Sequence, residues 1–182
     1  LSLDLYHIPH TIIRPNMPTL PFGTTSFVSG KAGKEYLEEN LPHVDGDQFL
    51  AAGRPYLSEL VKNRTAYPKA EFSTADGSTV VTIATQPHPD KIRRTLVTDV
   101  LNAVNEIDDA SVVIKTHPSE DPAFYAEFAK QDDRVRIETD NLFSVLAMSD
   151  IVVTIDSNVG LEAQLLGTPC VCVNKWEPLL WN

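Results

Sequence analysis

Five short runs of apolar and β-branched residues, separated by stretches with helical spacing, constrain this chain more than any other feature. They lie at 79–84, 111–115, 135–137, 151–155 and 170–173. Between the first two, Ile92, Leu96, Val100, Leu101 and Val104 recur at helical spacing within 91–107. Shorter helices are predicted over 122–130, 142–148 and 159–166. Strands too apolar to face water on either side, alternating with helices, belong in a parallel sheet covered on both faces. The predicted class is α/β, with a doubly wound parallel sheet.

Residues 1–65 read differently. Pro9, Pro15, Pro18 and Pro21 break the opening segment, which favours extended or irregular structure. A strand over 26–30, a helix over 31–40 and a strand over 48–53 then suggest a partial α/β appendage. The stretch 63–77, with Pro68, Ser73, Asp76 and Gly77, is the linker candidate. The chain is thus read as a partial amino-terminal unit, 1–65, and a main domain, 66–182.

Composition narrows the partners. With 25 acidic and 15 basic residues the formal charge is −10, which disfavours a general nucleic-acid surface because that needs a basic stripe. An acid-rich, lysine-poor surface also fits a salt-adapted protein, in which concentrated salt screens self-repulsion. There is no transmembrane segment near 18 apolar residues and no secretory signal, so the expected location is cytoplasmic. The start at Leu1 and the end soon after an apolar strand read as a piece of something longer. Cys170 and Cys172 are expected on opposite faces of their strand, as buried thiols unable to bridge one another. No metal site is read from the Cys and His spacing, and no phosphate loop or nucleophile elbow is present.

Ligands of open parallel sheets gather beyond the carboxyl ends of the strands. The residues to collect there are Gln86-Pro87-His88, Thr116 to Glu120, Thr139-Asp140-Asn141 and Asp156-Ser157-Asn158. The last triplet joins the run 151–155 to a helix without a gap, so unpaired amides and the positive end of the helix dipole face the turn, as an anion site requires. Ser157 is suited to cap that helix. Asn158 and Glu162 are four apart and share a face, leaving Leu161, Leu165 and Leu166 as the buried side. A carboxylate one turn behind a phosphate site can accept two hydrogen bonds from a ribose diol. Pro118 favours an extended His117, throwing its ring into the rim, where it can donate to an oxygen or move a proton. Lys115 stands at the same strand end.

Taken together, the segments 112–118, with Lys115-Thr116-His117-Pro118, 141–154, and 156–169, beginning Asp156-Ser157-Asn158, resemble the carboxy-terminal, nucleotide-sugar-binding domain of the GT-B glycosyltransferase superfamily. The resemblance is strongest to the surface and capsular polysaccharide branch and to UDP-N-acetylglucosamine 2-epimerases. Residues 27–31 and 49–60 look like the end of the first lobe and its crossing to the second. The resemblance implies a Rossmann-like fold and a UDP- or CMP-linked nucleotide sugar as substrate, with no other cofactor. It implies a glycan or lipid-linked acceptor, and peripheral membrane contact through the rest of the first lobe. His117 would contact donor phosphate or sugar, Ser157 and Asn158 the phosphates, and Glu162 the ribose; Gln86 and Lys115 join them as candidates, and His117 is the candidate for catalysis. Gln86 stands where the epimerases carry a His-Arg pair, and Asn158 where they carry glycine, which favours a transferase. The alternatives are an epimerase-like enzyme, a CDP-glycerol glycerophosphotransferase-like enzyme, or a non-catalytic nucleotide-binding module. The chain would carry only the donor-binding portion, with catalysis needing the rest of the first lobe.

Overall fold

The computed structural model describes residues 6–7, 25–67 and 77–173. Most of the expected linker, 68–76, lies outside them. The chain forms two compact units, Leu1–Ser58 and Glu59–Asn182.

The first unit holds three parallel strands in the order β1 (Tyr6–His7), β2 (Thr25–Val28), β3 (Phe49–Ala51). The helix α1 (Lys31–Asn40) follows β2, and a short 3₁₀ turn, Gly46–Gln48, leads into β3. Val28, Leu37 and Phe49 are its buried core. The helix α2 (Pro55–Lys62), with Pro at its first position where a missing N–H costs nothing, spans the boundary between the units.

The second unit alternates strand and helix throughout. It runs β4 (Thr79–Ala84), α3 (Asp90–Val104), β5 (Ala110–Lys115), a 3₁₀ turn Pro122–Tyr125 leading into α4 (Ala126–Gln131), and β6 (Val135–Glu138). The helix α5 (Leu142–Met148), β7 (Ile151–Thr154), α6 (Val159–Leu166) and β8 (Cys170–Cys172) complete it. All pairings are parallel, in the order β6-β5-β4-β7-β8. The sheet is doubly wound, as the five apolar runs predict. Val81, Ile83, Val112, Ile114 and Val153 pack on one face with Ile92, Leu96, Val97 and Val100 of α3 and Phe128 of α4. Val80, Ala84, Val113 and Val152 lie on the other with Val145 and Leu146 of α5 and Ala163 of α6.

Polar ties fix the central strands. Asp150 donates its amide to the Val80 carbonyl at 2.9 Å and accepts the Val80 amide on Oδ2 at 2.8 Å. Ser149 Oγ donates to the Val145 carbonyl at 2.7 Å, so the 2.6 Å contact with Thr82 Oγ1 is donated by Thr82. At the carboxyl end Thr154 Oγ1 donates to the Ala84 carbonyl at 3.0 Å. The positive φ of 94° at Gly167 ends α6, with Thr168 donating back to the Ala163 carbonyl.

Two expectations fail. The inward side of α6 is Gly160, Glu162 and Ala163, whereas Leu161 is exposed. The helix sits close against β7 and β8 at this point: a Cβ on Gly160 would meet Cys170 Sγ at 3.0 Å, so that side chain would have to give way. The two cysteines also share a face, because strand side chains repeat every second residue. Both sulfurs lie near Gly160, Cys172 is exposed and Cys170 is only half-buried.

Candidate functional site

Strand order reverses direction between β4 and β7, since β5 lies on one side of β4 and β7, reached by the later chain, on the other. A crevice opens beyond the carboxyl ends at such a switch point. Gln86-Pro87-His88 leaves β4 there, and Asp156-Ser157-Asn158 leaves β7.

Gln86 spans the two. Its Oε1 accepts the Asp156 amide at 3.1 Å and lies 3.5 Å from Thr154 Oγ1. His88 Nε2 stands 3.4 Å from Asp156 Oδ1, with both side chains largely buried. The turn is therefore held from the β4 side before α6 begins. Ser157 Oγ accepts the Val159 amide at 3.2 Å and its carbonyl accepts the Gly160 amide at 3.2 Å. Asn158 is the N-cap residue; its carbonyl accepts the amides of Leu161 and Glu162, and its Oδ1 is buried without a hydrogen-bond partner. Among the described residues the Ser157 and Asn158 amides have no protein partner. Glu162 is one turn further in, only 7% exposed. These features give an anion a set of oriented donors at the positive end of an eight-residue helix.

The β5 side of the rim is built around a residue that the sequence reading placed on the rim without a role. Glu120, with a side chain 1% exposed, collects four donors. Oε2 accepts from Thr85 Oγ1 at 2.6 Å and the His117 amide at 3.1 Å; Oε1 accepts from Tyr125 Oη at 2.6 Å and Arg93 at 3.1 Å. Burial alone would push this carboxyl up, but the hydrogen bonds from Thr85, Tyr125, the His117 amide and Arg93 outweigh burial and hold it below the usual carboxylate range. Burial and the bond to Glu120 together push Tyr125 up to about 12. Arg93 also reaches Asp90 at 2.6 Å, and its guanidinium lies 3.8 Å from the centre of the Phe124 ring. The arginine at helical spacing after Asp90 and the acid three residues after His117 were the available signals.

His117 is exposed at the rim, as Pro118 suggests. Its Nδ1 accepts the Ser119 amide at 3.1 Å and lies 2.7 Å from Ser119 Oγ. A ring nitrogen that accepts a backbone N–H carries no proton, so the neutral ring has its hydrogen on Nε2 and presents a donor outward. Lys115 is different. Burial lowers its pKa, and Nζ donates to the carbonyls of Thr116 and Thr139, both at 2.9 Å, clasping the ends of β5 and β6. A cleft of about 430 Å³ is lined by Pro87, His88, Arg93, Ser119, Glu120 and Phe124, among others. It has the size of a small-molecule site. The structure thus gathers Gln86, Ser157, Asn158 and Glu162 at the switch point, and His117 and Lys115 on the neighbouring β5 sector.

The profile of the family described as capsule polysaccharide biosynthesis protein matches residues 84–175, which include both sectors. A sequence search among curated proteins finds no match. Among solved structures, the chain is similar to the UDP-N-acetylglucosamine 2-epimerase of Neisseria meningitidis bound to UDP-GlcNAc, with a TM-score of 0.65 and 16% identity over 84% of this chain and 45% of that one. The 2-epimerase of Methanocaldococcus jannaschii gives a TM-score of 0.62 and 14% identity over 98% of this chain and 57% of that one. The wall teichoic acid polymerase TagF gives 0.52 and 14% over 92% and 47%. The chain spans about half the length of these proteins. At such identities the likeness is one of fold, a Rossmann-like domain of the GT-B kind.

Proposed function

Because the chain belongs to the capsule polysaccharide biosynthesis protein family, we propose that it is the donor-binding portion of a nucleotide-sugar-dependent glycosyltransferase acting in surface polysaccharide or glycoconjugate synthesis. The observation that carries this reading is the switch-point turn, where Gln86 pins Asp156 and the Ser157 and Asn158 amides at the start of α6 have no protein partner among the described residues. In this reading those groups take the donor phosphates, Glu162 the ribose hydroxyls, and His117 Nε2–H a phosphate or sugar oxygen. Residues 66–182 are the donor domain and 1–65 the end of the first lobe with its crossover.

Catalysis of this kind works by holding donor and acceptor together and stabilising the departing nucleotide through oriented donors. Lys115, turned onto two carbonyls, serves by shaping the rim on which His117 stands. A transferase is favoured over an epimerase because Gln86, in place of a His-Arg pair, is committed to the turn. The acceptor, a glycan or a lipid-linked glycan, is assigned to the rest of the first lobe, together with any peripheral contact with a membrane; no helix among the described residues is long and apolar enough to cross one. A cytoplasmic location and adaptation of the acidic surface to salt belong to the same proposal.

Calorimetric titration with UDP, CMP, CDP and GDP, at low and at molar salt, tests it. Saturable binding of one nucleotide, lost in Glu162→Ala and weakened in the shape-preserving Glu162→Gln, supports a donor domain and names its donor. No binding by demonstrably folded protein would remove it.

A further inference from the structure

Cys170 and Cys172 occupy β8, the outer strand of the main sheet among the described residues. Their shared face is turned to the first turn of α6, where a Cβ on Gly160 would lie 3.0 Å from Cys170 Sγ and 3.8 Å from Cys172 Sγ. Both are free thiols, and both sulfurs border the same point of α6. We propose that Cys170 and Cys172 form a two-thiolate chelate for a soft, thiophilic monovalent cation of the Cu(I) type.

The strand geometry separates this from a disulfide. Cα atoms two apart in a strand lie about 6.6 Å from each other, at the upper end of what a disulfide tolerates. Their parallel Cβ directions also oppose the approach to about 3.8 Å between Cβ atoms that an S–S bond needs. A bridging cation relaxes that demand, because two metal–sulfur bonds of about 2.3 Å span as much as about 4.6 Å between sulfurs. Among the described residues no group of three or more His, Cys, Asp or Glu gathers to hold a metal. The four-ligand shell of zinc is therefore not supplied there, whereas a thiolate pair suits Cu(I). Chelation breaks two S–H bonds, forms two metal–sulfur bonds and releases both protons to solvent, with no change of oxidation state. Because both thiols must give up their protons to the metal bond, capture strengthens as pH rises.

The test is an anaerobic titration of the reduced chain with Cu(I) against a chromogenic Cu(I) chelator, at several pH values. One equivalent is expected, held more tightly at higher pH. Cys170→Ser and Cys172→Ser, each checked for folding by circular dichroism, are each expected to weaken it about a hundredfold or more, since a chelate gains its affinity from the second ligand being already in place. If a serine variant does not fold, alkylation of the exposed Cys172 in the native chain provides the same comparison. Wild-type affinity in either single variant, two independent equivalents, or no capture by the reduced wild type would overturn the proposal.

Discussion

Gln86 Oε1 accepts the Asp156 amide at 3.1 Å, joining the residue two past β4 to the first residue of the turn before α6. This side chain, together with His88 against the Asp156 carboxylate, ties the turn that faces the crevice to the end of β4. Gln86→Ala should remove a single hydrogen bond, costing about 0.5–1.5 kcal/mol of stability. Nucleotide affinity should fall further than that loss, since the turn carrying Ser157 and Asn158 is then held less firmly. Gln86→Glu keeps the acceptor but adds negative charge beside Asp156, and should weaken an anionic ligand more at low salt than at high salt. Paired chemical denaturation and calorimetry check both. Equal affinity in all three proteins would dissociate Gln86 from the site.

His117 should exist, when neutral, as the tautomer with hydrogen on Nε2, because Nδ1 accepts the Ser119 amide. Nitrogen-15 NMR of the imidazole reports this directly. Nucleotide binding should shift the Nε2 resonance while Nδ1 keeps its acceptor signature. A ring protonated on Nδ1 would invert its role. His117→Ala should weaken nucleotide binding with little change in stability, since the side chain is exposed.

The layered fold was legible because parallel strands buried on both faces must be nearly continuous apolar runs, and Thr79–Ala84 and Ile151–Thr154 are such runs. The positions of Gln86, His117 and Ser157 followed from where those runs end. What was not legible depends on rotation and on burial of polar groups. Leucines at 161, 165 and 166 suggest an apolar side for α6, yet close packing of Gly160 on the cysteine sulfurs turns the helix so that Leu161 faces outward. Glu120 looks like an ordinary loop acid in sequence. Its role emerges only when Thr85, Arg93 and Tyr125, far apart along the chain, converge on it.

Glu120 and Tyr125 make stability depend on pH at both extremes. The folded-state pKa of Glu120 is depressed, so its contribution is present above the normal carboxylate range of about 4.3 and is lost as pH falls through the lower folded value. Tyr125 is raised to about 12, so its contribution is present below about 10 and is lost as pH rises from there toward about 12. Glu120→Ala leaves Arg93 and three further donors without their acceptor and should cost about 3–5 kcal/mol. Denaturation midpoints at acid pH should fall less steeply in Glu120→Gln than in the wild type. Parallel slopes would mean that other carboxylates govern acid unfolding.

Gly160 gives a prediction whose sign depends on its neighbour. Alanine is favoured over glycine within a helix by up to about 1 kcal/mol, but here its Cβ would meet Cys170 Sγ at 3.0 Å and Thr154 Cγ2 at 3.6 Å. Overpacking of this kind costs about 1–3 kcal/mol. Gly160→Ala should therefore be destabilising on balance in the native chain. In a Cys170→Ala background the closest obstacle is gone, and the same substitution should become neutral or stabilising. A double-mutant cycle in denaturant measures the coupling. Strictly additive effects would show that α6 moves away from β8 freely, and the close seating of the helix that carries Ser157 and Asn158 at its start would then owe nothing to glycine.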